Sequence, residues 1–150
     1  MLKVELLMKS HVFLGNAAII FLLITIIAIK RGNVGVSRVY ALVSSVLLGL
    51  CSLFGGYWYI RYYPGVRNLL KVSEWSWAHK FFMETKEHIF FQVFLLSLFL
   101  TILLFKENDE QALRLASRVA WLTIGIAVLV NVFGHFVDLG ITLILATHGG

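Results

Sequence analysis

Histidines near the ends of apolar segments are the residues of this chain best suited to do chemistry: His11, His79, His88, His135 and His148. A neutral imidazole can ligate a metal or a haem iron, and it exchanges protons near neutral pH. His11 begins one apolar segment, His88 precedes another, and His135 lies within a third. His79 comes nine residues before His88, so a continuous helix would place these two on opposite faces. The histidines therefore predict a ligand site wherever their segments pack together.

Carboxylates accompany two of these histidines at helical spacing. Glu84 and His88 are four residues apart, and Asn131, His135 and Asp138 follow the pattern i, i+4, i+7. Each set therefore lies along one face of a helix. Asp138 is placed to orient or charge-pair with His135, as carboxylates do for ligating imidazoles. An aspartate and a histidine also hydrogen-bond across membrane helices without any cofactor, so a purely structural role stays open.

Four apolar segments must hold these side chains in place: His11–Ile29, Val39–Ile60, Ile89–Phe105 and Val119–Ala146. Each is close to the roughly 20 residues that a helix needs to cross the hydrocarbon core of a bilayer. The chain is 59% hydrophobic and only 14% charged, which excludes an ordinary water-soluble domain. The sequence thus predicts an all-α integral membrane protein in which residues 1–150 form a single up-and-down bundle of four transmembrane helices.

Both chain ends lie on the same side of such a bundle, which we call the terminal side. The first and third predicted helices begin there, and the second and fourth end there, so the histidines gather toward this side. Lys30, Arg31 and Arg38 border the first helix pair on the opposite side, and cations at this position favour a cytoplasmic location. We therefore predict insertion in the inner or plasma membrane of a cell, with the histidine-rich side facing away from the cytoplasm.

The connections between the predicted helices differ in length. Two are short turns, and Asn108 or Asp109 is predicted to cap the helix after the second turn. The longest connection, residues 61–76, contains the only proline, Pro64. Cations separated by apolar residues after Pro64 predict a short amphipathic segment on the membrane surface. The third helix is predicted to start upstream of its apolar segment, near Trp77, because no glycine or proline interrupts that stretch.

A b-type haem requires two imidazoles from different helices at similar depth, an apolar space between helices, and cations for its propionates. His88 and His135, or His11 with one of these, are the candidate ligand pairs, and the candidate propionate partners are Arg61, Arg67 and Lys80. In topology and histidine placement the chain resembles small four-helix membrane-bound b-type cytochromes. This resemblance implies haem b as the cofactor, in an oxidoreductase subunit that carries electrons between a quinol and a redox partner protein.

A non-haem metal site is the main alternative. Mixed imidazole and carboxylate ligands suit Zn, Fe or Mn, and the candidate ligands are His11, Glu84, His88, His135 and Asp138. The Glu-x-x-His motif of di-iron bundles and the His-Glu-x-x-His motif of zinc proteases are both absent from the sequence. Their absence disfavours a di-iron or zinc-protease site, while other metal-binding functions stay open.

A protein without a cofactor is the third possibility, with the polar residues forming a proton relay or an assembly surface within a larger membrane complex. The net charge of +5 does not indicate nucleic-acid binding, because the cations lie almost entirely at the ends of apolar segments, where they meet lipid headgroups. The sequence contains no Gly-x-Ser-x-Gly motif and no glycine-rich phosphate loop, and it predicts no catalytic residue.

Overall fold

A computed structural model describes residues 2–107 and 109–148 of the chain, without the side chains of residues 2–5, 69, 78, 87, 144, 145, 147 and 148. The described residues form helices and short turns, and no strand occurs among them. A π-helical segment at Ala78–Met83 runs directly into the helix that follows it. The α-helices are α1 at Leu2–Lys30, α2 at Val34–Arg61, α3 at Tyr63–Val72, α4 at Glu84–Lys106 and α5 at Glu110–His148.

Four of these helical stretches are long and apolar enough to span a membrane: Leu6–Lys30, Val34–Arg61, His79–Lys106 and Glu110–Leu143. They confirm the predicted all-helical bundle with four potential membrane-spanning helices, and the third one begins close to Trp77 as predicted. Large apolar side chains such as Leu53 and Ile60 are 69% and 77% exposed on the outside of the bundle. Water would disfavour such a surface, whereas lipid would not.

The two short turns have recognisable chemistry. Gly32 ends α1 with a φ of 70°, in the left-handed region that glycine adopts without steric cost. Asn33 then caps α2, because its side chain accepts a hydrogen bond from the Val36 backbone N–H at 3.1 Å. Asp109 caps α5 in the same way through the Ala112 N–H at 2.7 Å. The prediction of a cap at Asn108 or Asp109 is therefore confirmed for Asp109, and Asn108 lies outside the described residues.

Hydrogen bonds between helices fix an antiparallel register. The Ser44 hydroxyl of α2 donates to the Ala18 carbonyl of α1, and the Cys51 thiol of α2 donates to the His11 carbonyl of α1. From the first bond to the second, the chain advances seven residues along α2 and goes back seven residues along α1. Between α2 and α4 the Arg38 Nε–H donates to the Leu104 carbonyl at 2.7 Å. Both chain ends therefore lie at the same end of the bundle, and α3 packs there as well.

The half of the bundle opposite the chain ends is closely packed. Its buried core joins α1, α2, α4 and α5 through residues such as Leu22, Ala41 and Leu100. Its buried hydroxyls are satisfied by the protein: Ser45 shares hydrogen bonds of 2.8 Å with Ser97 and 2.9 Å with Thr101. A second apolar cluster in the middle of the bundle separates this half from the half that holds the chain ends.

Candidate functional site

A cavity of about 570 Å³ lies in the half of the bundle that holds the chain ends, which we call the terminal half. All four long helices contribute to its lining. Leu48, Val93 and Ala127 belong to the apolar cluster in the middle of the bundle and form its floor. Its volume is within the range of small-molecule and cofactor sites, roughly 300–1,000 Å³. Its polar lining consists of Lys9, His11, Asn16, Cys51, Lys86, Asn131, His135 and Asp138.

His11 is held in a fixed orientation on the α1 side of the cavity. Its Nδ1–H donates to the Cys51 carbonyl at 2.9 Å, and the Cys51 Sγ lies 3.2 Å from the same nitrogen. In the neutral imidazole the other nitrogen, Nε2, therefore carries the lone pair that can bind a ligand. Nε2 makes no hydrogen bond within the described part of the chain. Metal-ligating histidines usually donate one ring N–H to a carboxylate, backbone carbonyl or water, and the other ring nitrogen then binds the metal.

Glycine makes this orientation of His11 possible. A Cβ atom at Gly55 would lie 2.6 Å from both Cε1 and Nδ1 of the imidazole, which is far inside van der Waals contact. The neighbouring Gly56 faces open space, so a methyl group would fit there. The close approach of His11 to α2 therefore requires glycine at position 55 but not at position 56.

The polar stripe of α5 lines the opposite wall of the cavity. Asn131, His135 and Asp138 all border it, as the spacing of these residues allows. His135 and Asp138 make no hydrogen bond to each other among the described residues, and Asp138 instead accepts from the Thr142 hydroxyl through its backbone carbonyl. The expected His135–Asp138 pair is thus not formed, and both side chains are free to meet a ligand.

A hydrogen bond between the two walls sets the depth of the two cavity histidines. Asn131 on α5 donates to the side-chain oxygen of Asn16 on α1 at 2.6 Å. His11 lies five residues beyond Asn16, about 7.5 Å at 1.5 Å per residue, and His135 lies four residues beyond Asn131, about 6 Å. Because α1 and α5 run antiparallel, both displacements point toward the chain ends. His11 and His135 are therefore at nearly the same depth on two walls of one cavity.

His88 is at the depth of this cavity but does not line it. The side chain of His88 is exposed, and its Nδ1–H donates to the Glu84 carbonyl of the same helix at 2.6 Å. The interior face of α4 is formed by Lys86, Phe90 and Val93. Lys86 is two residues from Glu84, or about 200° around the helix, so the predicted stripe of Glu84 and His88 faces outward. The structure thus does not bring His88 together with His135.

The remaining predicted site residues also lie away from the cavity. Arg61 and Lys80 are exposed, and the buried Nε of Arg67 on α3 has no hydrogen-bond partner in the described chain. Within residues 2–107 and 109–148, no three His, Cys, Asp or Glu side chains converge in a geometry that would hold a metal ion. The five predicted metal ligands are therefore not brought together, and the predicted propionate partners do not line the cavity.

Lys86 and Lys9 are cavity residues that the sequence analysis did not single out. Lys86 projects from α4 toward α5, where its Nζ lies 3.1 Å from the position that a Cβ would take at Gly134. The Lys86 ammonium also interacts electrostatically with His11 and Cys51. One signal was present in the sequence: Lys86, Phe90, Val93 and Ser97 follow helical spacing as regularly as the Glu84–His88 stripe does.

His79 belongs to a separate buried cluster beneath α3. It is 3% exposed and shares a hydrogen bond of 2.8 Å with the hydroxyl of Tyr63, which is 1% exposed. The Glu84 carboxylate lies 4.0 Å from the other ring nitrogen of His79. The π-helical segment at Ala78–Met83 carries His79 and changes the register with which it enters α4. This cluster ties the surface helix α3 to the bundle and contains none of the cavity residues.

No protein-family model, curated protein or solved structure matches this chain. Its function must therefore be inferred from the chemistry of the cavity. Two imidazoles, two lysines, one aspartate and two asparagines border a space with an apolar floor. Lipid tails cannot hydrogen-bond to these groups, so the cavity is suited to a ligand that is largely apolar and carries polar or metal-centred chemistry at one end.

Proposed function

We propose that the four long helices cross a cellular membrane, with the short turns in the cytoplasm and the terminal half facing away from it. The length and apolar outer surface of the helices support insertion. The cations at the first short turn, Lys30, Arg31 and Arg38, support the orientation. Tags at each end of the chain would test the orientation, because a protease or thiol reagent added to intact cells should reach them. Tags that are protected from the added reagent would contradict the orientation.

We propose that the cavity binds haem b, with His11 and His135 as the two axial ligands. One observation carries this proposal: two imidazoles at nearly equal depth, on different helices, border one cavity within the four-helix bundle. A haem needs only two protein ligands, so the absence of a three-residue metal cluster among the described residues does not weigh against it. His11 replaces His88 in the pair because it lines the cavity and His88 does not.

The residues around the cavity have separate roles in this proposal. The Cys51 carbonyl accepts a hydrogen bond from the Nδ1–H of His11, so Nε2 carries the lone pair of the neutral imidazole. Phe90, Val93 and Leu48 exclude water from the porphyrin and supply an apolar environment that tunes its potential. When bound, haem supplies one-electron transfer. The donor in this proposal is a quinol within the bilayer, and the acceptor is a redox protein on the terminal side.

A second candidate function is haem-free binding of a carboxylated amphiphile. The observation that favours it is the Lys86 ammonium, which reaches across the cavity from α4 to the α5 backbone at Gly134. Lys86 is half-buried, and an ammonium in an environment of low polarity attracts a carboxylate more strongly than one in water. The two candidates share the cavity and differ in whether the histidines ligate a metal.

An absorption spectrum tests the haem proposal. The protein is purified in mild detergent, supplemented with haem, freed of excess haem, and recorded in the oxidised and dithionite-reduced forms. Bis-histidine ligation predicts a Soret band that sharpens on reduction together with resolved α and β bands. A protein that is folded, elutes as one species and shows no Soret band after supplementation would falsify the haem proposal, and elemental analysis of the same sample would reveal a non-haem metal.

A further inference from the structure

We propose that α3 and the end of α2 bind the phosphate group of an anionic phospholipid, with Trp58 and Arg67 as hydrogen-bond donors and Lys71 beside them. This site lies outside the cavity and takes a different ligand, so it goes beyond the haem proposal. It rests on the proposed crossing of a membrane by the four long helices and does not depend on haem. The chemistry that it recognises is a phosphate oxyanion attached to an apolar body.

Two buried donors are the first support. The indole Nε1 of Trp58 and the Nε of Arg67 are buried, and neither has a hydrogen-bond partner in the part of the chain that the structure describes. Buried polar atoms without a partner are rare in proteins, because burial removes their bonds to water. Both atoms carry an N–H group, so the group that they lack is an acceptor. The guanidinium is also a cation, which favours an acceptor that is an anion.

Both donors border the same buried cluster beneath α3. Trp58 packs against this cluster, and its ring centroid lies 5.6 Å from that of Tyr63. Arg67 follows Tyr63 by four residues and precedes Leu70 by three, so it lies on the side of α3 that these two buried residues occupy. Trp58 and Arg67 are themselves half-buried. A ligand at the surface therefore reaches their N–H groups after a rotation of the side chains, while the helices stay in place.

The charges around α3 are the second support. Residues 61–80 contain one carboxylate, Glu74, and four cations: Arg61, Arg67, Lys71 and Lys80. Lys71 is exposed and lies one turn after Arg67, on the same side of α3. Neither cation forms an ion pair with any of the described residues. A guanidinium can bind two phosphate oxygens at once, and a neighbouring ammonium adds a point charge. A zwitterionic lipid brings its own cation, so this surface favours a lipid with a net negative charge.

The position of α3 indicates that the phosphate belongs to a lipid. α3 connects the span that ends at Arg61 with the span that begins at His79, so it lies at the level of the lipid headgroups. Val72 and Trp77, at the end of α3 and after it, are 86% and 44% exposed. Lipid favours such side chains, whereas water does not. A free phosphate would pair with the cations and leave these side chains in water, whereas a phospholipid would meet both.

Two lipids with the same acyl chains test the proposal: dioleoylphosphatidylglycerol, which is anionic, and dioleoylphosphatidylcholine, which is zwitterionic. The purified protein in neutral detergent is mixed with either lipid or with sodium phosphate. Native mass spectrometry measures the affinity, and hydrogen-exchange mass spectrometry of residues 61–77 shows whether the ligand protects α3. The variants are Arg67→Gln, Arg67→Lys and Trp58→Phe. Arg31→Gln is the matched control, because Arg31 is exposed at the opposite end of the bundle.

Wild type should bind phosphatidylglycerol about 10- to 100-fold more tightly than phosphatidylcholine, as for a charge-assisted hydrogen bond, and phosphatidylglycerol should slow exchange in α3. Arg67→Gln should remove most of this preference and the protection. Arg67→Lys should keep a part of the preference, because it retains the charge and loses the planar fork. Trp58→Phe should weaken binding by about 2- to 10-fold, because the indole donor is neutral. Arg31→Gln should behave like wild type.

Equal affinity of wild type for the two lipids would overturn the proposal, as would an unchanged preference in folded Arg67→Gln. If Arg67→Gln does not fold, a preference of Arg67→Lys equal to that of wild type would overturn it instead. Protection of α3 by sodium phosphate equal to that by phosphatidylglycerol would assign the site to a free anion and reject the lipid. The proposed membrane crossing fails separately, when the protein does not float with phosphatidylcholine vesicles. A missing Soret band leaves the lipid result unaffected.

Discussion

The two halves of the bundle differ in where their polar side chains lie. In the half away from the chain ends, hydroxyls such as Ser45, Ser97 and Thr101 bond to one another inside a closely packed core. In the terminal half, ionisable side chains such as Lys86 and His135 border a cavity. The closed half encloses its hydroxyls within the core, whereas the terminal half arranges its ionisable side chains around a space of ligand size. Under the proposed function, the first half holds the helices together and the second half binds the ligand.

Two of the histidine environments in the terminal half differ in what surrounds the imidazole. His11 and His135 face the cavity, and His79 is buried against Tyr63 beneath α3. This contrast predicts that the cavity histidines affect ligand binding and that His79 affects stability. Variants in each environment can therefore be separated by reading both the haem spectrum and the unfolding transition.

The largest expected effect is at the cavity histidines. His11→Ala and His135→Ala should each abolish the bis-histidine spectrum, because each removes one axial ligand from the proposed site. His88→Ala is the matched control, since His88 lies at similar depth on the outside of α4, and it should keep the spectrum. Absorption and electron paramagnetic resonance spectra measure the ligation. Loss of the spectrum in His88→Ala together with its retention in His11→Ala would mean that His88, not His11, is the axial ligand and that its face of α4 lies inside the bundle.

The next effect is at the glycine pair of α2. Gly55→Ala should displace the His11 ring, because its methyl group would lie 2.6 Å from two ring atoms, and haem affinity should fall by about 10- to 100-fold, as for other changes that disturb the support of a ligand. Gly56→Ala should leave the affinity unchanged because nothing lies within 4 Å of the added methyl group. Haem titration measures both, and equal affinities in the two variants would show that His11 is not oriented by this contact.

A smaller effect is expected beneath α3. Tyr63→Phe removes the hydroxyl that shares a hydrogen bond with buried His79, and the free energy of unfolding should fall by about 1–3 kcal/mol. The haem spectrum should not change because neither residue lines the cavity. Tyr57→Phe is the control, since Tyr57 is exposed. Denaturant titration in detergent gives the stability, and a changed spectrum in Tyr63→Phe would mean that the two histidine environments are coupled.

The smallest effect is expected in the closed half. Ser45→Ala removes hydrogen bonds to Ser97 and Thr101, and interhelical bonds in membrane bundles contribute about 0.6 kcal/mol on average and up to about 1.7 kcal/mol. Ser52→Ala should cost less, because among the described residues the Ser52 hydroxyl bonds to the Leu48 carbonyl of its own helix and not to another helix. The same unfolding assay compares the two. A loss of haem affinity in Ser45→Ala would show that this half also shapes the ligand site.

The sequence predicted the elements of the fold well because their signals are local. Apolar length identified the four long helices, and a side-chain acceptor before a helix identified Asp109 as a cap. The stripe of Asn131, His135 and Asp138 was also visible, since spacing within one helix determines which residues share a face.

The sequence could not choose between faces of α4. Glu84 and His88 form one regular stripe, and Lys86 and Phe90 form another about 200° away. Only packing against α1, α2 and α5 decides which stripe faces inward, and that packing depends on residues far along the chain. The same limit applies to Cys51, whose backbone carbonyl accepts the hydrogen bond from the His11 ring. A carbonyl is present at every position, so no sequence pattern singles out this one.

The π-helical turn before α4 has a consequence for how the chain tolerates insertions and deletions. Removing one residue from Ala78–Met83 would restore ordinary α-helical winding and rotate the start of that segment, including His79, by about 100° relative to α4, whereas Tyr63 packs against Val137 of α5. His79 would then swing away from Tyr63, while Lys86 and Phe90 would keep their places. A single-residue deletion at this point would thus remove the His79–Tyr63 hydrogen bond and leave the interior face of α4 in place.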